Sequence, residues 1–248
     1  MAPWIAGTKV CRGPLLRCVA RDQDPAPTFT DHTALPMAKQ PFHLDLTDKL
    51  YDAEEEGTVD EINENYGTPL KTSMLDKQLL EKVPAELVRT YTKHFNGCRI
   101  DWRFPENDAI GGQVHLLPFE DIVRDGLGTT YEEDDLTENE LVQYFKPFDL
   151  VTDEMECGFL MDPGFTSRSI HYKRAGAPHL YDLDIDMKGY LELVVATGGF
   201  FHWPKVLVDI QEGTESAETE QFREYMPRIF SGFTWRAFVA QYTGLRIG

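Results

Sequence analysis

The stretch that decides the fold is Leu180-Tyr181-Asp182-Leu183-Asp184-Ile185-Asp186-Met187-Lys188-Gly189-Tyr190-Leu191-Glu192-Leu193-Val194-Val195-Ala196-Thr197-Gly198-Gly199. Its first part alternates carboxylates with apolar residues, the period of a half-buried strand. Its second part places Met187, Tyr190, Leu191, Val194 and Val195 at i, i+3, i+4, i+7 and i+8, the stripe of an amphipathic helix. Asp186 stands where a helix N-cap belongs, and Gly198-Gly199 where a helix ends. A strand therefore passes directly into a helix here, and both element types share one core.

Working outward toward the N-terminus, Leu75, Leu79 and Leu80 predict a short helix, and Pro84 is suited to the first position of the next. Leu87, Val88, Tyr91 and Phe95 continue at helical spacing to an Asn96-Gly97 stop. Ile100, Trp102 and Phe104 then alternate with Arg99, Asp101 and Arg103, a strand with one face in the core. Gly111-Gly112 is read as the turn of a hairpin into a second apolar run at 114–117. Further short strands are predicted at 148–151, 158–161, 169–173 and 180–183, with an Asp162-Pro163-Gly164 turn among them. Toward the C-terminus, Phe222, Tyr225, Met226, Ile229 and Phe230 form one helical stripe, and Trp235, Phe238, Val239 and Tyr242 another. Pro227 is expected to kink or divide that region. Helices around a block of short strands make the fold class α+β, with a central mixed or antiparallel sheet and a C-terminal helical extension.

The chain has 248 residues, 42 acidic against 24 Lys and Arg, for a formal net charge of −18. Its apolar fraction of 42% is enough for a core, so global disorder is excluded. No run approaches the roughly 18 apolar residues of a membrane span. Strong acidity argues against phosphate backbones and anionic lipid as partners, so neither nucleic acid nor membrane is expected. A basic protein partner fits the charge. The first 36 residues stand apart, with five prolines and with Lys9, Arg12, Arg17 and Arg21 against Asp22, Asp24 and Asp31. They read as a disordered tail, upstream of a second methionine at Met37, and the domain is expected over 37–248. The basic, acid-free start of that tail also has transit-peptide character, but it lacks the apolar core of a secretory signal. Cys11, Cys18, Cys98 and Cys157 form no CxxC pair, and none of the five asparagines sits in a glycosylation acceptor pattern. A cytoplasmic location with reduced thiols is the expectation.

A search for catalytic motifs returns little. There is no phosphate-binding GxxxxGK[ST], no nucleophile elbow and no HExxH, and Gly126-Leu127-Gly128 lacks the rest of a dinucleotide fingerprint. On a strand, Asp182, Asp184 and Asp186 would share one face and could hold a divalent cation through oxygen ligands. The simpler reading puts Leu183, Ile185 and Met187 in the core, the carboxylates in water, and Asp186 on the helix end. His94 and His202 show no activating neighbour, and Cys98 and Cys157 flank apolar runs as inert core thiols do. No enzyme activity, cofactor or metal is expected.

Three acidic runs remain: 52–56 with Asp60 and Glu61, 132–135 with Glu138 and Glu140, and Glu212 with Glu215, Glu218 and Glu220. One such run is ordinarily a solvated face, but three in a chain this acidic favour rapid, salt-dependent encounter with a basic partner. The candidate partner-binding residues are Glu132, Glu133, Asp134 and Asp135, with Tyr131 and Trp102 as aromatic anchors. Trp102 also has a core reading, given its alternation with Ile100 and Phe104.

The order of landmarks resembles the SUKH superfamily. A helix with Pro84-Ala85-Glu86-Leu87 and Tyr91 runs to Phe95-Asn96-Gly97 and then to Ile100-Asp101-Trp102. Leu116-Leu117-Pro118-Phe119-Glu120-Asp121-Ile122 is similar to that family's strand-to-helix turn, and Gly199-Phe200-Phe201-His202-Trp203-Pro204 to the close of its late helix. The resemblance implies an α+β binding module without catalysis. Bacterial members of the family are commonly immunity proteins that neutralise toxins, often nucleases, while fungal members serve as cell-wall and signalling scaffolds. The resemblance thus implies a cognate basic toxin as partner, with a regulatory scaffold as the alternative. The proline-rich start and the segment after Glu212 depart from the family pattern.

Overall fold

A computed structural model describes residues 41–248 except 72, 74, 75, 125–129, 163, 164 and 175. The expectations for the 1–36 tail, for Leu75, for Gly126-Leu127-Gly128 and for Pro163-Gly164 lie outside the described residues. The chain is α+β. Helix α1, Phe42–Glu55, buries Leu46, Thr47, Leu50 and Ala53 on one face and leaves Asp52, Glu54 and Glu55 to solvent, with exposed Glu56 just past its end. This helix and the strand after it, β1 (Asp60–Tyr66), precede every element expected from periodicity. Their apolar residues are few and are diluted by acids, so the pattern is faint in the sequence.

Short α2 (Lys77–Leu80) leads to α3 (Ala85–Lys93), entered through Pro84 and left at His94. Strand β2 (Cys98–Phe104) buries Cys98, Ile100, Trp102 and Phe104 and exposes Arg99, as alternation predicts. Its hairpin partner β3 is Asn107–Leu116, so the turn falls at Pro105-Glu106. Gly111-Gly112 is therefore not the turn. Both glycines lie inside β3, where Trp102 pairs with Gly112 and its indole passes over the strand. A Cβ on Gly112 would stand 2.4 Å from Trp102 Nε1, and one on Gly111 2.4 Å from the Trp102 carbonyl oxygen. Close approach of the ring at Gly112 and of the neighbouring backbone at Gly111, not a bend, excludes side chains here.

The remaining strands are β4 (Phe145–Thr152), β5 (Met155–Asp162), β6 (Phe165–Thr166), β7 (His171–Arg174) and β8 (Leu180–Asp182). The order β1-β2-β3-β4-β5-β7-β8 follows the chain, every pair is antiparallel, and β6 pairs only with β5. The sheet is thus an antiparallel meander, the topology that short connections favour.

Helix α6 is Met187–Thr197. Asp186 Oδ1 accepts the Gly189 amide at 2.9 Å, and Gly198 closes the helix at φ +64°. The loop after it returns to the sheet. The Gln113 amide donates to the Gly199 carbonyl at 2.7 Å, the Phe201 amide to that of Gly111 at 3.0 Å, and Trp102 Nε1 to that of Gly198 at 2.7 Å. This loop takes the place of a neighbouring strand beside Gly111-Gly112. On the sheet side it is held by the same indole that excludes side chains there.

Three helices complete the chain: α7 (Trp203–Glu212), α8 (Ala217–Ile229) and α9 (Trp235–Leu245). The stretch ending at Trp203-Pro204 reads in sequence as the close of the preceding helix, but Pro204 stands at the start of a helix of its own. Pro227 lies inside α8 and does not divide it. It removes the amide that would bond the Arg223 carbonyl, yet the helix runs on to Ile229, and the break comes near Gly232 at φ +83°. Helix α1 packs on α6, α6 also meets α3 and α9, and α7 packs on α8. One core joins these helices to the sheet, from Leu46 to Tyr242. Among the described residues no helix is long and apolar enough to cross a membrane.

Candidate functional site

The acidic segment after Tyr131 is built from local turns. The Asp135 carboxylate accepts the Glu132 amide at 3.0 Å, and Thr137 Oγ1 donates to the Asp134 carbonyl at 2.7 Å. These bonds set up α5 (Asp135–Glu138). Asn139 then caps a 3-10 turn, Glu140–Tyr144, by accepting the Leu141 amide at 3.0 Å, and its Nδ2 donates to the Pro178 carbonyl at 2.9 Å. Glu132, Glu133, Asp134, Glu138 and Glu140 are exposed, and Asp135 is half-buried. Leu141, 51% exposed, adds an apolar side chain to this strip.

The two aromatic anchors are not on that surface. Tyr131 is buried. Trp102 is 1% exposed, with its N–H bonded to Gly198. Neither ring can meet a partner while the domain is folded, so both leave the candidate site. Trp102 takes its core reading, because β2 alternation turns it inward against Phe200 and Phe230.

The three aspartates of the deciding stretch are each committed locally. Asp182 accepts from Ser169 Oγ and from the Asp184 amide, Asp184 pairs with Arg246 at 2.5 Å, and Asp186 caps α6. Leu183, Ile185 and Met187 are buried between them. Among the described residues no group of three or more His, Cys, Asp or Glu is arranged to hold a metal ion. Burial lowers the His202 pKa, with Glu218 and Glu154 opposing, and its Nδ1 lies 3.2 Å from Met155 Sδ. The His94 ring lies tilted against that of His43, centroids 5.1 Å apart, and burial, then His94, lowers the pKa of His43. Burial pushes both Cys98 and Cys157 up, away from thiolate reactivity.

A second surface emerges that motif reasoning did not find. Leu44, Tyr51 and Tyr66 are three of the four large apolar residues exposed among the described residues. Leu44, Asp48, Tyr51 and Glu55 recur at i, i+4, i+7 and i+11 on the outer face of α1, the spacing that would have revealed it. On edge strand β1, Glu64 lies opposite Ile100 and so points to the helix side of the sheet. Its carboxylate accepts from Tyr51 Oη at 2.7 Å and from Tyr66 Oη at 2.6 Å. These bonds to Glu64 raise the pKa of Tyr51, while burial and then Glu64 raise that of Tyr66.

Farther round the helix, on the flank of α1 away from β1, α1 and the turn after α8 enclose a cleft of about 300 Å³. Asp45, Asp48, Asp52 and Glu56 line it, with Lys49 and Phe230. Lys49 turns away from those carboxylates: its Nζ donates to the Val195 and Ala196 carbonyls at 3.1 and 2.5 Å and lies 4.1 Å above the Phe230 ring. It thereby satisfies the C-terminal end of α6, where a cation is favoured. Burial holds its pKa down to about 8. A larger groove of about 770 Å³ lies between α1, α3 and α6, lined by Phe42, Leu191 and Val195 with Arg89, His94 and Lys188. Glu86 and Asp45 also face it, so its charge is mixed.

No protein-family model matches this chain, and neither do the curated proteins or the solved structures compared with it.

Proposed function

We propose that this chain is a SUKH-type immunity protein, acting in the cytoplasm without catalysis by binding a basic toxin one to one and occluding it. The observation that carries the reading is surface charge. The runs 52–56 and 132–134 are presented to solvent by α1 and by the turns before α5, within a chain of net charge −18. Carboxylates held outward on an ordered frame attract a basic protein over a distance set by salt, and nucleases are basic because they bind phosphates. Further support comes from the order of landmarks: the α3 helix leads through Asn96-Gly97 into β2, and the α6 helix through Gly198-Gly199 and Phe200 to Trp203.

The test is capture from the native host at low salt, followed by a toxicity assay. The expected result is one basic protein, bound one to one and released by salt, whose toxicity on expression in a second host is suppressed by this chain. Several partners insensitive to salt, or a partner whose toxicity the chain leaves unchanged, would overturn the immunity reading and favour the regulatory scaffold.

A further inference from the structure

We propose that the basic partner docks across the outer face of α1, through arginine side chains that stack on Tyr51 and Tyr66 at the β1 side and reach round the helix, past Asp48, to the acidic cleft. The inference rests on the reading that the partner is a basic protein, and names the surface and the side chain that it uses. Three features distinguish this face from the strip at 132–141. It presents two exposed aromatic rings where the other presents only Leu141. The rings are tied to one carboxylate at 2.7 and 2.6 Å, so little side-chain freedom remains to be lost on binding. And Asp48, on the same outer face of α1 as Tyr51, also lines a concave site farther round the helix with Asp45, Asp52 and Glu56.

The charge on this face is available. Among the described residues no ion pair is made by Asp48, Asp52, Glu54, Glu55, Asp60 or Glu61. The one lysine in the cleft spends its donors on the end of α6. A guanidinium suits such a surface better than an ammonium does, because it stacks flat on a ring and still offers its edge to carboxylates. Strand β1 itself is a poor template for an added strand: its register breaks between Asp60 and Asn63, with Glu61 at φ +53°, a bulge that blunts the edge. The partner is therefore expected to bring side chains to this face, not a pairing backbone.

Labelled oligo-arginine and oligo-lysine peptides of equal length, titrated into the full chain at low salt, test this by fluorescence anisotropy. The unaltered chain is expected to bind the arginine peptide more tightly. Replacing both rings (Tyr51→Leu with Tyr66→Leu) leaves the charge unchanged and should weaken the arginine peptide about five-fold, erasing its advantage over lysine. Neutralising Asp48, Asp52 and Glu55 (to Asn, Asn and Gln) should weaken both peptides, whereas the same change at Glu132, Glu133 and Asp134 should leave the arginine preference intact. Hydrogen exchange on the unaltered chain gives a readout independent of any variant, with protection by the arginine peptide expected over Phe42–Glu55 and Asp60–Tyr66. If protection and loss of binding map instead to 132–141, the surface is wrong and the basic-partner reading stands. If the unaltered chain binds neither peptide, the basic-partner reading fails and the surface with it.

Discussion

Replacing Asp149 with Asn should stabilise this protein near neutral pH, although it removes a charge bonded on both sides. Asp149 lies in the middle of β4, is 1% exposed, and forms the single register pair between β3 and β4 with Leu116. Its Oδ1 accepts the His115 amide at 2.9 Å and its Oδ2 the Tyr190 hydroxyl at 2.7 Å, so the carboxylate replaces a rung of the ladder. Burial dominates, and although both bonds favour the ionised form the pKa is raised from 3.8 to about 6. The unfolded chain loses this proton near pH 4 and the folded chain only near pH 6. Between those values the native state binds more protons, so stability falls as the pH rises, and above about pH 6 the full penalty persists. Two units at about 1.4 kcal/mol each make that penalty on the order of 3 kcal/mol. An asparagine mimics the neutral acid: its carbonyl accepts from His115, and its amide donates to a Tyr190 hydroxyl free to rotate. Urea unfolding of both proteins from pH 4 to pH 8 cancels every other titrating group in the difference. The curves should coincide near pH 4 and diverge through pH 6, with the variant ahead by up to about 3 kcal/mol. A difference that does not change with pH, or a variant less stable at pH 7.5, would refute the reasoning.

The opposite sign is expected at Asp209, which ties α7 to α8 by accepting from Lys205 Nζ, from the amide and hydroxyl of Ser216, and from the hydroxyls of Thr214 and Thr219. Burial resists its ionisation, but those donors prevail and hold its pKa well below the usual carboxylate range. Its contribution is complete above the unfolded pKa and is lost as the pH falls toward the folded one. Asp209→Ala should cost about 3–4 kcal/mol in denaturant unfolding, and a loss below about 1 kcal/mol would show that the donors find water instead. Two glycines should separate cleanly. Gly112→Ala sets a Cβ 2.4 Å from Trp102 Nε1 and 2.7 Å from the Gly199 oxygen, and should cost about 2–4 kcal/mol with a shifted tryptophan emission. Gly244→Ala, in α9 with nothing within 4 Å, should stabilise by about 0.5–1 kcal/mol. Equal effects at both positions, read by thermal melts, would overturn the close-approach argument.

Much of the candidate site was illegible for one physical reason. Exposed segments owe their structure to the core face of the same element, and that face is faint where acids dilute it. Helix α1 shows only Leu46, Leu50 and Ala53 as regularly spaced apolar residues buried among its charges, so 52–56 reads as an acidic run and Tyr51 goes unnoticed. The acids at 132–134 were legible as exposed because nothing apolar lies between them. Tyr131 next to them was not legible as buried, since adjacency in sequence does not set the direction of a side chain.

What the sequence by itself determined is everything decided within a turn or two of chain. The Asp186 cap, the Gly198 stop and the strand at Ile100, Trp102 and Phe104 all follow from period and capping, whereas the strand expected to run into α6 ends at Asp182 because Asp184 turns left-handed at φ +54°. Only the tertiary structure decided the contacts that cross long stretches of chain. Trp102 reaches Gly198, 96 residues away, and its ring together with the Gly199 carbonyl leaves no room for a side chain at Gly112. Likewise Glu64 joins Tyr51 to Tyr66 only because α1 and the edge strand come together over the core. Local patterns are enforced by backbone geometry whatever the rest of the chain does. A docking face requires the packing of the whole domain to bring its residues into one place.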